Sequence, residues 1–95
     1  MGKTIIVKKI SESEDDWEFE VTIDDEDGET IHKATLERGY YEGLTGGDIL
    51  PEDFIKMCFK FLLKKESRDK VMEEFNIGDI NNYFPEFEDT ITENI

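Results

Sequence analysis

Residues 48–65 constrain this chain more than any other stretch. At about 100° per residue, Met57, Phe61, Phe54, Cys58, Leu62, Ile55, Phe59 and Leu63 follow one another around a helix, and only Lys56, Lys60 and Lys64 fill the remaining gap. An apolar arc this wide is not satisfied by covering one side, so the helix must lie between layers supplied by the rest of the chain. Pro51 marks its start, because the first helical position has no use for an N–H. Glu52 and Asp53 then stand at the positive end of the helix dipole and Lys64 and Lys65 at the negative end, each pair on its favourable side.

The layers come from both flanks. Residues 3–10 are rich in β-branched side chains and predict a strand. Two inward faces are open to it, Ile5 with Val7 or Ile6 with Ile10, and the first also turns Lys8 toward the acids of the next strand. Residues 17–23 alternate strictly, which puts Trp17, Phe19, Val21 and Ile23 on the core face. Residues 29–38 should return antiparallel. A type I′ turn at Asp27-Gly28 would set Ile23 opposite His32, Val21 opposite Ala34, Phe19 opposite Leu36 and Trp17 opposite Arg38. A turn of odd length would bring Lys33 and Thr35 under the aromatic row, so burial selects an even one.

Residues 39–47 connect sheet to helix, with a short helical turn around Tyr41–Leu44 and glycines that permit a reversal. After the main helix, Ser67 is placed to cap a shorter helix to about Phe75, with Val71, Met72 and Phe75 on one side. Asp79 is placed to cap a last segment in which Ile80, Tyr83 and Phe84 share a face. Pro85 stops it, and Phe87 and Ile91 pack beyond. The expected fold is therefore α+β: a three-stranded antiparallel meander packed on a central helix with two short C-terminal helices, one domain over residues 1–95, frayed at 91–95.

The run Tyr41, Leu44-Thr45-Gly46-Gly47, Pro51-Glu52, Phe59, Phe61-Leu62-Leu63, Glu66, Phe75 and Tyr83-Phe84-Pro85-Glu86 resembles a group of small uncharacterised prokaryotic proteins. The resemblance covers roughly the C-terminal half. It implies no activity, cofactor or partner.

Charge narrows the function classes. The net charge is -14, and residues 11–30 hold eleven acids and no base, residues 71–95 seven acids and no base, while residues 51–70 hold six bases against four acids. A chain this acidic repels phosphate, so direct DNA or RNA binding through the helix lysines is not expected. The sequence has no apolar run of membrane-spanning length and no signal-peptide pattern, which predicts a cytoplasmic protein. Nine lysines argue against halophilic adaptation.

Motifs that suggest chemistry fail on their own requirements. Residues 24–28 resemble a calcium loop, but its first and twelfth positions would be Ile23 and Ala34, where acids are needed. Thr45-Gly46-Gly47-Asp48 lacks the lysine of a phosphate loop, and Asp48, Glu52 and Asp53 repel an anion. With one histidine, His32, and one cysteine, Cys58, the chain builds no His-based metal cluster and no internal disulfide. Cys58 is expected to be a buried, unreactive packing residue.

The expected function is that of a small non-enzymatic interaction or regulatory module, without cofactor or metal, that binds a protein with a basic surface. Two alternatives stay open: a nucleic-acid mimic occupying the basic site of a DNA- or RNA-binding partner, and a small-ligand binder using the 40–47 loop. Two routes of recognition follow. On the electrostatic route, acid-rich turns containing Glu14, Asp15, Asp25 and Glu26 lie about 25 Å apart at opposite ends of the second strand. On the aromatic route, Tyr40, Tyr41 and Tyr83 form the surface. The sequence does not set an oligomeric state.

Overall fold

The computed structural model describes residues 3–94. Along the chain come β1 (Thr4–Glu12), β2 (Asp16–Asp25), β3 (Gly28–Glu37), α1 (Arg38–Thr45), α2 (Pro51–Lys65), β4 (Glu74–Asn76), α3 (Ile80–Tyr83) and α4 (Phe87–Glu93), with 3-10 turns at Arg68–Lys70 and Ile77–Asp79. The fold is α+β. β1, β2 and β3 form the antiparallel meander, and β4 adds a fourth strand parallel to β3, giving the order β1-β2-β3-β4.

α2 begins with Pro51 in its first turn and buries Phe54, Ile55, Cys58, Phe59, Phe61 and Leu62, while Lys56, Lys60 and Lys64 are exposed. Its rings reach in three directions. Phe59 meets His32 of β3 and Phe75 of β4, with ring centroids 5.8 and 5.7 Å away. Phe61 stands edge-on to Phe84 and Phe87 at 5.9 and 5.1 Å. Phe54 packs on Tyr41 of α1, whose ring in turn stands edge-on to Trp17 of β2. The helix thus joins the sheet, α1 and the C-terminal segment into one core. Ile91 is buried and α4 continues to Glu93; Ile95 lies outside the described residues.

The hairpin keeps the expected faces in a register two residues away. Trp17 pairs with Leu36, Phe19 with Ala34, Val21 with His32 and Ile23 with Thr30, around a turn at Glu26-Asp27. A type I′ turn at Asp27-Gly28 needs positive φ at both residues, and among the described residues no non-glycine adopts it. Instead the Asp25 carboxylate accepts the Asp27 N–H at 2.9 Å, and within this turn only Gly28 takes a positive φ, of 142°. A shift of two preserves the side-chain alternation, so the core face is unchanged. β1 turns Ile5 and Val7 inward, leaving Ile6 and Ile10 exposed. Its register slips between Lys9 and Ser11, a bulge at Ile10.

The segment after α2 departs most from expectation. No helix spans 67–75, and Ser67 makes no side-chain cap bond; only the Arg68–Lys70 turn forms, and the chain then extends into β4. The cause is tertiary. Extended backbone satisfies the outer edge of β3, with the Lys33 N–H donating to the Glu73 carbonyl at 2.6 Å, and still delivers Val71 and Phe75 to the core. His32 fixes the same junction, its Nδ1 lying 2.7 Å from the Met72 carbonyl, which makes that nitrogen the donor. Thr30 Oγ1 engages the other ring nitrogen at 2.9 Å.

Candidate interaction surface

Alternation gives the sheet a second face, and along β1, β2 and β3 its side chains are all exposed or half-buried. Pairing orders them into rows that run across the strands. Ile6, Thr22 and Ile31 form one row, with Ile6 55% and Ile31 54% exposed. On its side nearer the β2–β3 turn lies Thr4, Asp24 and Glu29. On the other lies Lys8, Glu20, Lys33 and Glu74, alternating in sign. Lys33 bridges to Glu74 at 3.3 Å and to Glu18 at 3.5 Å, and these carboxylates, Glu74 first, hold its ammonium above the ordinary lysine range.

Asp24 and Glu29 differ from that balanced row. They stand directly opposite each other, and among the described residues neither is ion-paired. Like charges facing across a strand pair repel. The apolar row is therefore flanked on one side by compensated charge and on the other by uncompensated acid.

The acids of the electrostatic route lie at the two ends of β2, as the meander requires. Ten residues separate the turns by about 30 Å. Glu14 and Asp15 are exposed, and Ser13 braces their turn by accepting the Asp15 and Asp16 N–H groups at 3.3 and 3.1 Å. Beside them Glu12 is clamped by Lys9 at 2.8 Å and Arg38 at 2.7 Å, which lower its carboxyl to about 2. Arg38 also lies 4.2 Å over the Trp17 ring. At the far end Glu26 is exposed, and Asp25 is held by Arg68 at 2.9 Å. Burial pushes the Asp25 carboxyl up, but the Asp27 N–H and Arg68 outweigh it and leave it lowered. Asp25 thus does structural duty. The positive φ of Gly28 favours glycine at this junction, where a Cβ would also come 3.2 Å from the Arg68 guanidinium.

The three tyrosines do not form one surface. Tyr41 is buried and donates its hydroxyl to the Ile49 carbonyl. Tyr40 is half-buried and donates to Glu88 at 3.1 Å, with burial and that carboxylate raising its phenol. Only Tyr83 is open, at 62% exposure. The 40–47 loop is mostly α1, and Thr45 closes it by donating to the Tyr41 carbonyl and accepting the Gly47 N–H. Gly46 and Gly47 take φ values of 67° and 81° there, which explains the glycine pair.

A concavity does exist elsewhere. A cavity of about 210 Å³ opens between the end of α2, β4 and α3, with Leu62, Val71, Phe75, Ile80 and Phe84 inside and Met72 and Tyr83 at the rim. Cys58 is fully buried, and burial raises its thiol well above the ordinary range. Among the described residues no group of His, Cys, Asp and Glu could hold a metal ion, and no helix is long and apolar enough to cross a membrane. No protein-family model, curated protein or solved structure matches the chain.

Sequence reasoning missed the Ile6–Thr22–Ile31 row. Its signal was Ile31, an isoleucine on the polar side of an otherwise regular alternation. Reading it needed the orientation of β1 and the hairpin register together.

Proposed function

We propose that the chain is a non-enzymatic interaction module that binds a partner protein through the open face of its sheet. The observation that carries this reading is the Ile6–Thr22–Ile31 row lying against the uncompensated Asp24–Glu29 pair. Apolar side chains aligned across three strands give a partner area to cover, and the adjacent acids select one whose apolar patch is flanked by Lys or Arg on one side only. The net charge of -14 adds long-range attraction for such a partner. The nucleic-acid-mimic alternative fits this face less well, because an apolar row interrupts the acids where a phosphate stand-in needs them continuous.

The test is affinity capture from native cytosol with three variants: Ile6→Ser with Ile31→Ser, Asp24→Asn with Glu29→Gln, and Tyr83→Ala. A basic protein retained by the wild type should be lost with the isoleucine pair. It should associate several-fold more slowly with the acid pair at low salt, and be unaffected by Tyr83→Ala. The salt effect should fade as the Debye length falls below about 10 Å. Retention by the isoleucine pair with loss on Tyr83→Ala would move the surface to α3 and overturn this reading.

A further inference from the structure

The cavity between α2, β4 and α3 is independent of the open sheet face, and its mouth carries one charge of each sign. Glu66 is the residue that closes α2, and Lys70 ends the 3-10 turn that follows. Glu66 is half-buried and Lys70 exposed, and among the described residues neither makes an ion pair or a side-chain hydrogen bond. Glu66 thus presents a carboxylate without a protein partner to the cavity. It stands, moreover, at the negative end of the longest helix, where carbonyl groups add to its attraction for a cation. Behind these two charges the walls are aliphatic and aromatic.

We propose that this cavity binds a small zwitterion with an apolar body, of the chemical class of the free branched-chain and aromatic α-amino acids. The ammonium group would sit at Glu66 and the end of α2, the carboxylate at Lys70, and the side chain among Leu62, Val71, Phe75 and Phe84. Size agrees with the class. At about 210 Å³ the cavity is smaller than the ~300–1,000 Å³ of sites for drug-sized molecules, and suits a ligand of about ten non-hydrogen atoms. A purely apolar ligand would pair with neither charge, and a singly charged one with only one of them. The expected dissociation constant for a ligand of this size is on the order of 0.1 mM.

The experiment is a titration followed by two-dimensional NMR of the whole chain with L-leucine, L-phenylalanine, N-acetyl-L-leucinamide, 4-methylpentanoate and 3-methylbutylamine. L-Leucine or L-phenylalanine should give saturable shifts confined to the cavity, at Leu62, Glu66, Lys70, Val71, Phe75 and Phe84. The three analogues, each lacking one or both charges, should bind at least about tenfold more weakly. Lys70→Gln and Glu66→Gln should each weaken amino-acid binding by a similar factor without lowering the unfolding midpoint, since neither side chain has a partner to lose. The proposal is overturned if neither amino acid shifts these residues saturably at millimolar concentration. It is also overturned if both charge variants bind as the wild type does. If N-acetyl-L-leucinamide binds as well as leucine, the cavity is an anchor pocket for a side chain of another protein, and the zwitterion proposal falls. None of these outcomes bears on the isoleucine row, which is read separately by capture.

Discussion

The two faces of the β2–β3 hairpin are built from the same twenty residues in strict alternation, yet they are fixed by different forces. Inward, Trp17, Phe19, Val21, Ile23, His32, Ala34 and Leu36 are buried against α1, α2 and β4, and each position tolerates little change in volume. Outward, Lys33 bridges Glu18 and, on β4, Glu74, while Asp24 and Glu29 face each other, and Ile31 with its β1 neighbour Ile6 remains uncovered. The inner face spends its side chains on stability. The outer face withholds part of its own, and the difference separates residues that make the fold from residues available to a partner.

The largest effect belongs to the inner face. Phe59→Ala removes the ring that joins α2 to His32 and Phe75, and should cost about 3–5 kcal/mol in urea unfolding. A loss below about 1 kcal/mol would mean that the covered face is not packed as described. Next comes His32→Ala, which strips the Met72 carbonyl of its donor and should cost about 1–3 kcal/mol. Its signature is local: amide exchange at Lys33, whose N–H bonds the Glu73 carbonyl, should quicken before that of β2. Uniform quickening across the sheet would contradict a role for His32 in holding β4.

Acid probes the rim of the inner face, where Glu12 stands opposite Trp17. Lys9 and Arg38 depress the Glu12 carboxyl from 4.5 to about 2, so the stability it contributes is present above pH 4.5 and is lost as the pH falls toward 2. The unfolding midpoint of Glu12→Gln should therefore lie below that of the wild type at neutral pH, and the gap should close across that window. A gap that stayed constant would show that the clamp contributes nothing. The smallest expected change is the most discriminating. Asp24→Asn should stabilise the chain by a few tenths of a kcal/mol by relieving the repulsion with Glu29, while slowing association with a basic partner.

Much of this fold is legible in the sequence. α2 can be read from Pro51, the apolar arc and the lysine stripe, because a buried helix carries its period and both ends in its own residues. The core face of β2 is equally plain. The hairpin register is not, since Asp27-Gly28 suggests one turn while the Asp25 carboxylate stabilises another, and burial is blind to a shift of two. β4 was hidden because residues 71–75 space their apolar side chains in a way that suits a helix as well as a short strand. What decides is the unpaired edge of β3 and the His32 bond to Met72, both long-range. For the sites, the acids at each end of β2 were legible from composition, whereas Tyr41 reads as surface only until α1 folds it onto Trp17 and Phe54.

The central claim is that a partner covers the outer face of the sheet. Methyl cross-saturation from the captured basic protein to isotope-labelled chain tests it most directly, because it reports contact without any mutation. The account predicts attenuation of the Ile6, Thr22 and Ile31 methyl signals, with Leu62 and Met72 at the α2–β4 cavity unaffected. Attenuation at Leu62 and Met72 with the three outer-face residues unchanged would contradict it.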